Sequence, residues 1–450
     1  MLLQLVHHVS GMVTYQRALY AIFLLAWAMV LSIAAAYCTG TYFITRRKVS
    51  NLCRVGLSRS NMDDQYNSKY ALPEGQRSHG ATRIKAIFIH PVKSCAPIEV
   101  ERAILTKGGF QYDRAYAFAV DSGPDTLQFI SQRTKPQMSL IQTELWLPGP
   151  TSNKNDAMVQ AGGCLILTFP DPESPSILKR ISTVCETRSL NATSSYSFII
   201  PLSPPTKLEM KPFAIHHRTA HGLDMSSIPS VAAALPKLKK FLGYPPSRTL
   251  RLFKCTTDTL HRTDRNLAPL ANIGTPAVHG YTDQQPVNIN SVSSVHALSA
   301  CLPEENKPLN ALRFRANLWL TGAPAYDEDS WKRCRIVSPS RPPITLSVVC
   351  RTSRCPMTNV DPSKGEFTTQ KPDDGKRMGK PQPSTTLKEY RTVENGNKAA
   401  LGYIGMHAVP EDRDLKDASL SQLTLLISVG DTIEVLERGI HLYGSTGNDY

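Results

Sequence analysis

The sequence predicts an α+β, β-rich fold carried behind a single N-terminal membrane-anchor helix. Three observations predict it. The 28 residues between Arg17 and Arg46 carry no charge, and about 20 such residues in a helix, at roughly 1.5 Å rise each, cross the hydrocarbon core of a bilayer. Beyond them, short β-branched and aromatic runs alternate with Gly- and Pro-containing turns, and few stretches show a helical period. That is the texture of barrels rather than bundles. Finally, 450 residues that are 41% hydrophobic and 20% charged suffice for two domains with cores of their own and are too apolar for a disordered chain.

Residues 1–45 read as the anchor, with the span at 18–38. A cleavable leader ending at Ala34-Ala35-Ala36 is the rival reading, and the apolar run is longer than such a leader needs. Arg46, Arg47, Lys48, Arg54 and Arg59 follow the span, whereas Arg17 alone precedes it. The positive-inside rule then places residues 46–450 in the cytosol, leaving the sequon Asn191-Ala192-Thr193 unused. Residues 46–80 are polar without a period and read as a tether. The body divides into domains at 81–250 and 251–440.

Strands are expected at residues 84–89, ending at His90-Pro91, and at 115–120, where small and large residues alternate. Further strands fall at 164–169, stopped by Pro170, and at 344–350, 423–429 and 432–437, the last two joined at Gly430-Asp431. Helices are expected at 230–242, stopped by Gly243 and kinked at Pro236, and at 291–302. The polar segment 362–399 reads as a surface excursion.

The net charge is +14 and diffuse, with no basic stripe carrying interleaved aromatics, so nucleic acid is not an expected partner. A basic face for an acidic partner or a phosphorylated ligand fits instead. The ten cysteines never form C-x-x-C and read as reduced thiols in a reducing compartment. No dinucleotide fingerprint, zinc-protease helix or nucleophile elbow occurs. Residues 375–381 (GKRMGKP) fall one residue short of a P-loop and end in proline. His216, His217 and His221 lack partners at ligand spacing and read as exposed.

The run Ser353-Arg354-Cys355-Pro356, followed by Asn359-Val360-Asp361-Pro362, is the most informative. It leaves a strand ending at Cys350 and sets an arginine beside Cys355. A neighbouring guanidinium favours thiolate, the nucleophilic and metal-binding form, which suits a soft or high-valent metal. On residue type alone the structural reading of Cys355 outweighs this, because cysteine is so often simply buried.

Together with His90-Pro91-Val92-Lys93-Ser94-Cys95, Tyr112-Asp113-Arg114, Phe314-Arg315-Ala316-Asn317 and Val429-Gly430-Asp431, which with the apolar strand after it looks like a closing hairpin, that run resembles the MOSC family. The order matches a MOSC N-terminal β-barrel domain followed by a MOSC β-barrel domain, and the anchor fits the family's amidoxime-reducing branch. The resemblance implies a molybdenum cofactor (Mo-molybdopterin). Cys355 would be its protein ligand and the catalytic residue, and Lys93, Ser94 and Arg114 would hold the phosphate and pterin. Arg315, Asn317, Ser353 and Arg354 would make further pterin contacts. Gln284 and Gln285 stand where relatives carry small hydroxyl residues at the cofactor, and His407 where they carry an aromatic phenol.

The implied reaction is reduction of N-hydroxylated substrates such as amidoximes and hydroxylamines. No fused ferredoxin-like segment is read, so electrons are expected from a separate protein, cytochrome b5 with its NADH-dependent reductase. The outer mitochondrial membrane is the implied location, with the endoplasmic reticulum as alternative. A membrane-tethered carrier of the cofactor or of sulfur, without turnover, is the second reading. No pyridoxal-phosphate-binding sulfurase segment is read beside it. A degenerate structural homologue that binds no cofactor is the third.

Overall fold

The computed structural model describes residues 2–442 except 77–79, 124–125, 205–206, 370–378 and 395–400. Helices α1 (Leu2–Thr39) and α2 (Thr41–Lys48) lead into strands β1 (Leu52–Val55), β2 (Arg83–Ile89), β3 (Ile98–Val100) and β4 (Arg102–Thr106). Strands β5 (Tyr116–Gly123), β6 (Thr126–Phe129), β7 (Gln142–Pro148) and β8 (Cys164–Pro170) precede helix α3 (Ile177–Thr187). Then come β9 (Ser195–Pro201), β10 (Met210–Ile215), β11 (Arg218–Asp224), helix α4 (Pro229–Phe241) and β12 (Leu250–Lys254). The C-terminal half holds β13 (Val287–Ser291), helix α5 (Val292–Ala300), β14 (Leu318–Thr321), β15 (Trp331–Ser338) and β16 (Arg341–Ser353). Strands β17 (Tyr403–Pro410), β18 (Leu426–Ser428) and β19 (Thr432–Arg438) complete it.

Three sheets organise all of these strands but β4 and β18, which pair with each other in a further small sheet. A four-stranded sheet runs β1-β7-β8-β9, and a small closed barrel runs β10-β11-β12-β5-β6. The eight-stranded sheet runs β14-β13-β17-β16-β15-β19-β2-β3, and β14 pairs back onto β2 to close it. Strand β2 therefore belongs to the C-terminal barrel: Ile87 faces Leu318 and Arg83 faces Thr432. The expected division at residue 250 is crossed by β2 and β3.

Alternation explains how β5 serves two cores. Tyr116, Phe118 and Val120 enter the main hydrophobic cluster, while Ala117 and Ala119 enter the small barrel. The alanines leave room there for Phe213 and Phe253, stacked at 4.5 Å between ring centroids. In α4, Val231, Ala234, Leu235 and Leu238 are buried along one face. Pro236 does not interrupt the helix. It and Ala232, whose carbonyl it orphans, lie on the exposed face, where that carbonyl is open to solvent. Gly243, at φ +67°, ends the turn as expected.

The segment read as a polar tether is built into the body. Helix α2 is pinned by Arg46, which bonds both carboxylate oxygens of Glu144 at 2.7 and 2.8 Å and lies over the Trp146 ring. Strand β1 pairs with β7, Leu52 opposite Pro148. Met62 is 1% exposed and joins the cluster around Trp319. The Gln65 side chain accepts from the Ala311 amide. These anchors are single residues spaced without a period, so no pattern marks them.

Two further expectations change. Strands β18 and β19 do not form a hairpin: β18 pairs with β4, and β19 with β15 and β2. Gly430, at φ +89°, redirects the chain between the sheets, and Asp431 fixes the corner by accepting from Arg341 and the Ser428 amide. The excursion 362–399 carries a helix, Ser384–Tyr390, whose Leu387 is buried. Most of the P-loop-like run lies outside the described residues. All ten cysteines are free.

Glu328 is a buried acid away from the cavity described below. Ser294 Oγ donates to its Oε1 at 2.7 Å, while its Oε2 has no partner. Burial, aided by Asp329, raises its carboxyl to about 7. An acid shifted upward makes the folded state retain a proton that the unfolded chain has released. Stability therefore falls as pH rises from the ordinary glutamate range to about 7 and stays low above it. Urea unfolding of the full chain at about pH 5 and about pH 8 should show this fall. Glu328→Gln should flatten it and exceed the parent in stability at the higher pH. An unchanged pH profile in the variant would refute the assignment.

Candidate functional site

A cavity of about 710 Å³ opens at the seam between the two barrels. The residues after β2 build its floor. The Arg114 amide donates to His90 O (2.8 Å), that of Tyr116 to Pro91 O (2.9 Å), and that of Lys93 to Tyr116 O (2.8 Å). Asp113 accepts from the His90 amide at 2.7 Å. These bonds lay the Lys93-Ser94 loop beside Arg114. From the opposite side, Arg114 Nη2 donates to Arg315 O at 2.9 Å, and Arg354 donates to Phe314 O (2.8 Å) and Ile404 O (2.9 Å). Gly405, at φ +79°, allows the close approach: a Cβ there would meet Ile289 O at 2.7 Å and Arg354 Nη2 at 3.0 Å.

Ser94 (φ 69°), Arg114 (φ 46°) and Arg315 (φ 52°) are all left-handed. Such backbone is unfavourable for non-glycine residues and persists where the surroundings impose it, often at functional sites. Here it turns three contributors, distant from one another in the chain, into one space.

The lining is strongly cationic. Loss of water, with the neighbouring Arg114 charge, lowers Arg315 to about 10. Loss of water likewise lowers Arg354 to about 9 and lowers Lys93 against the opposing pull of Asp283. Lys93 donates to Tyr281 O at 2.9 Å and to Asp283, which also pairs with His216 at 2.8 Å. Burial lowers His279 and His407 to about 3, assisted by Arg218 and Arg354 respectively, so both imidazoles are neutral near pH 7. Arg315 Nη2, Gln285 Oε1 and the hydroxyls of Thr263 and Thr282 are buried without hydrogen-bond partners. Unpaired buried donors and acceptors on a positive wall fit an anionic ligand that itself carries both.

All ten sequence-predicted site residues line this one cavity: Lys93, Ser94, Arg114, Gln284, Gln285, Arg315, Asn317, Ser353, Arg354 and Cys355; His407 lines it as well. Their situations differ. Cys355 is half-buried, two residues past the end of β16 and just before the short turn Pro356–Asn359. Cys350 is buried within β16, and burial pushes its thiol up. Ser353 is exposed at the strand end. Gln285 spends its amide on Arg265 O and Asn266 O. Asn317 spends both polar atoms on backbone, accepting from the Asn288 amide (3.1 Å) and donating to Phe88 O (3.1 Å).

Sequence reasoning missed Arg133 and Asp283, and read as exposed His216, which is partly buried in the cavity wall. Arg133 bonds His216 at 3.1 Å, and both line the cavity, whereas exposed His221 does not. Asp283 stands one residue before a pair already singled out, which was the available signal. Among the described residues no group of three or more His, Cys, Asp or Glu is placed to hold a metal ion.

Asn317 links β2 to β13, so it acts as a brace whatever the cavity holds. Asn317→Leu should therefore destabilise ligand-free protein by about 1–3 kcal/mol, through buried backbone groups left unpaired. Denaturant unfolding checks this, and unchanged stability would return Asn317 to a purely ligand-facing role.

The geometry agrees with what comparison finds. The MOSC N-terminal beta barrel domain matches residues 81–185 and the MOSC domain residues 276–434. The chain is similar to mitochondrial amidoxime-reducing component 1 of Homo sapiens, 24% identical over 322 residues that cover 71% of this chain and 75% of the relative. The Mus musculus protein of the same name is 23% identical over 321 residues, covering 71% and 74%. A molybdenum cofactor sulfurase of Oryza sativa subsp. japonica is 21% identical over 355 residues, 73% of this chain but 34% of that protein. With both segments matched in order, and the motifs of each meeting at one cavity, the chain belongs to the MOSC family, as a MOSC N-terminal β-barrel domain followed by a MOSC domain.

Proposed function

We propose that the protein is a molybdenum cofactor-dependent oxidoreductase that reduces N-hydroxylated substrates. One observation carries the reading: a half-buried thiol, Cys355, shares a cavity with Lys93, Arg114, Arg315 and Arg354. No cluster of metal-ligating side chains accompanies it among the described residues, so a metal at Cys355 would take its other ligands from a bound anionic group. When bound, the cofactor supplies a two-electron centre. Lys93, Arg114 and Arg315 hold its phosphate and pterin by charge-assisted bonds, the unpaired Arg315 Nη2 being free to donate. Ser94, Gln284, Ser353 and Arg354 border the same space, and the neutral His279 and His407 offer hydrogen bonds without adding charge.

In the reduction of an amidoxime, two electrons and two protons cleave the N–O bond, giving amidine and water. The electrons come from a separate protein, cytochrome b5 with its NADH-dependent reductase, and the basic chain suits an acidic haem partner. The 22-residue stretch Tyr15–Ala36 is long and apolar enough to cross a bilayer. In this reading it anchors a cytosolic body at the outer mitochondrial membrane, with the endoplasmic reticulum as alternative. Similarity to the sulfurase favours a second reading, a tethered carrier of the cofactor or of sulfur without turnover.

Replacing Cys355 by Ala should abolish reduction of benzamidoxime, assayed with cytochrome b5 and its reductase and again with an artificial donor. Cys350→Ala should retain activity and cost stability alone, about 1 kcal/mol or somewhat more as for a small core truncation. Activity retained in the Cys355 variant with both donors would rule out the ligand assignment. A molybdenum-loaded parent without activity would favour the carrier. Lys93→Ala should weaken cofactor retention by about 1.5–3 kcal/mol, as for a hydrogen bond to a charged group. Molybdenum content and pterin fluorescence equal to the parent's would overturn the phosphate assignment.

A further inference from the structure

Helix α3 is amphipathic and is turned the wrong way round for a soluble protein. Its polar side faces the body. Ser182 and Thr183 are buried, Lys179 Nζ donates to Ser195 O at 2.5 Å, and Glu186 accepts from Ser195 Oγ at 3.1 Å. Ile177, Ile181 and Val184, at i, i+4 and i+7, form the opposite stripe. Ile177 is 78% exposed, and Ile181 and Val184 are half-buried. Leu178 and, just past the helix, Leu190 are exposed as well, as are Arg180 and Arg188. A helix at a protein surface ordinarily turns its apolar stripe inward.

The position of α3 says what covers that stripe. α3 packs against α1, and among the residues whose exposure is described the covered positions at the end of α1 and just past it are Ser32, Ala35, Ala36 and Gly40. A Cβ at Gly40 would collide with Ser182 Oγ. The first three of those positions lie within the last turns of the apolar stretch Tyr15–Ala36. Whatever plane α1 reaches at Ala36, α3 reaches it too. No slack intervenes, because the Gly40 amide bonds Ala36 O (2.8 Å), the Ile44 amide bonds Gly40 O (3.0 Å), and α2 is held by Arg46 on Glu144.

We propose that α3 docks into the interface of the bilayer that α1 crosses. Its Ile177–Ile181–Val184 stripe lies at the boundary of headgroups and acyl chains, and Arg180, Arg188, Arg47 and Lys48 meet anionic lipid headgroups. An apolar stripe flanked by basic side chains is the chemistry of an interfacial helix. The proposal rests on reading α1 as a membrane span and is independent of what the cavity binds.

The test uses the full chain in nanodiscs of phosphatidylcholine with phosphatidylserine. A photo-crosslinking residue is placed singly at Ile177, Ile181, Ala28 within the span, or Leu420, exposed at the end of the C-terminal helix Asp412–Leu420. Lipid adducts at Ile177, Ile181 and Ala28, and none at Leu420, are expected. Adducts at Ala28 without any at Ile177 or Ile181 would overturn the docking and leave the span intact. No adducts at Ala28 would remove the span and the docking with it. Crosslinks from Ile177 to a second copy of the chain would assign the stripe to self-association and overturn the proposal. The double change Arg180→Glu, Arg188→Glu should lower the adduct yield at Ile177 on phosphatidylserine discs and leave it unchanged on phosphatidylcholine alone. Equal loss on both would refute the anionic-headgroup contact.

Discussion

The gathering of Lys93, which is buried, with the partly buried Arg114, Arg315 and Arg354 around one cavity is the constraint on which the rest of the molecule depends. Taking a cation out of water is costly, and the cost is offset by hydrogen bonds or counter-charges. Here most of the offset comes from backbone carbonyls: Tyr281 O for Lys93, Arg315 O for Arg114, Phe314 O and Ile404 O for Arg354. A carbonyl satisfies an N–H without cancelling the charge. Asp113 supplies one carboxylate, held in its ionised form by Arg114 and His90 against the opposing effect of burial, and Asp283 supplies a second. The wall consequently keeps a positive excess that water cannot fully screen. An anion entering the cavity recovers what the fold gave up in building it.

That wall requires the two barrels to be one structure. Strand β2 pairs with β14 and β19 of the C-terminal barrel, and the chain leaving it runs straight into the Lys93-Ser94 loop. Strand β5, which follows Arg114, is a stave of the small barrel. The stretch from residue 83 to 123 thus belongs to both halves, and Arg114 sits where it passes from one to the other. Arg315 and Arg354 reach the same point on connections next to β14 and β16. Left-handed backbone is tolerated where neighbours hold it: Gln132 donates to Ser94 O, the Tyr281 amide to Arg114 O, and Arg114 Nη2 to Arg315 O.

Much of this was legible in the sequence, and what was not has a common cause. Alternation announced β5 and the apolar run announced α1, because each repeats a period that packing imposes. The site residues were legible through motif order rather than composition. Lys93, Arg114, Arg315 and Cys355 are far apart in the chain, and no local pattern brings them together. The segment 46–80 was misread because its anchoring rests on isolated residues, Arg46, Leu52 and Met62, none of which repeats. The supposed hairpin at Gly430 was misread because a turn signal shows that the chain reverses, not which strand each arm then joins. Arg133 and Asp283 were missed, and His216 misread, for a related reason: each acts by touching another side chain across the cavity.

The packing of residues 46–80 into the body ties helix α1 to the cavity. A polar tether over the 35 residues 46–80, on the order of 5–6 Å times the square root of its length, would let the body sample every orientation relative to α1. Instead α1 hands over to α2 through Gly40, and α2 is fastened to the four-stranded sheet by Arg46 on Glu144 with Trp146 beneath it. That sheet is continuous from β1 to β9, and β9 in turn carries the inward face of α3. Exposed ion pairs contribute little, but this one is bidentate and half-buried against an aromatic ring, the geometry in which such a pair holds a fixed orientation. The direction in which the cationic cavity faces relative to α1 is therefore set by packing within the protein rather than by diffusion on a linker.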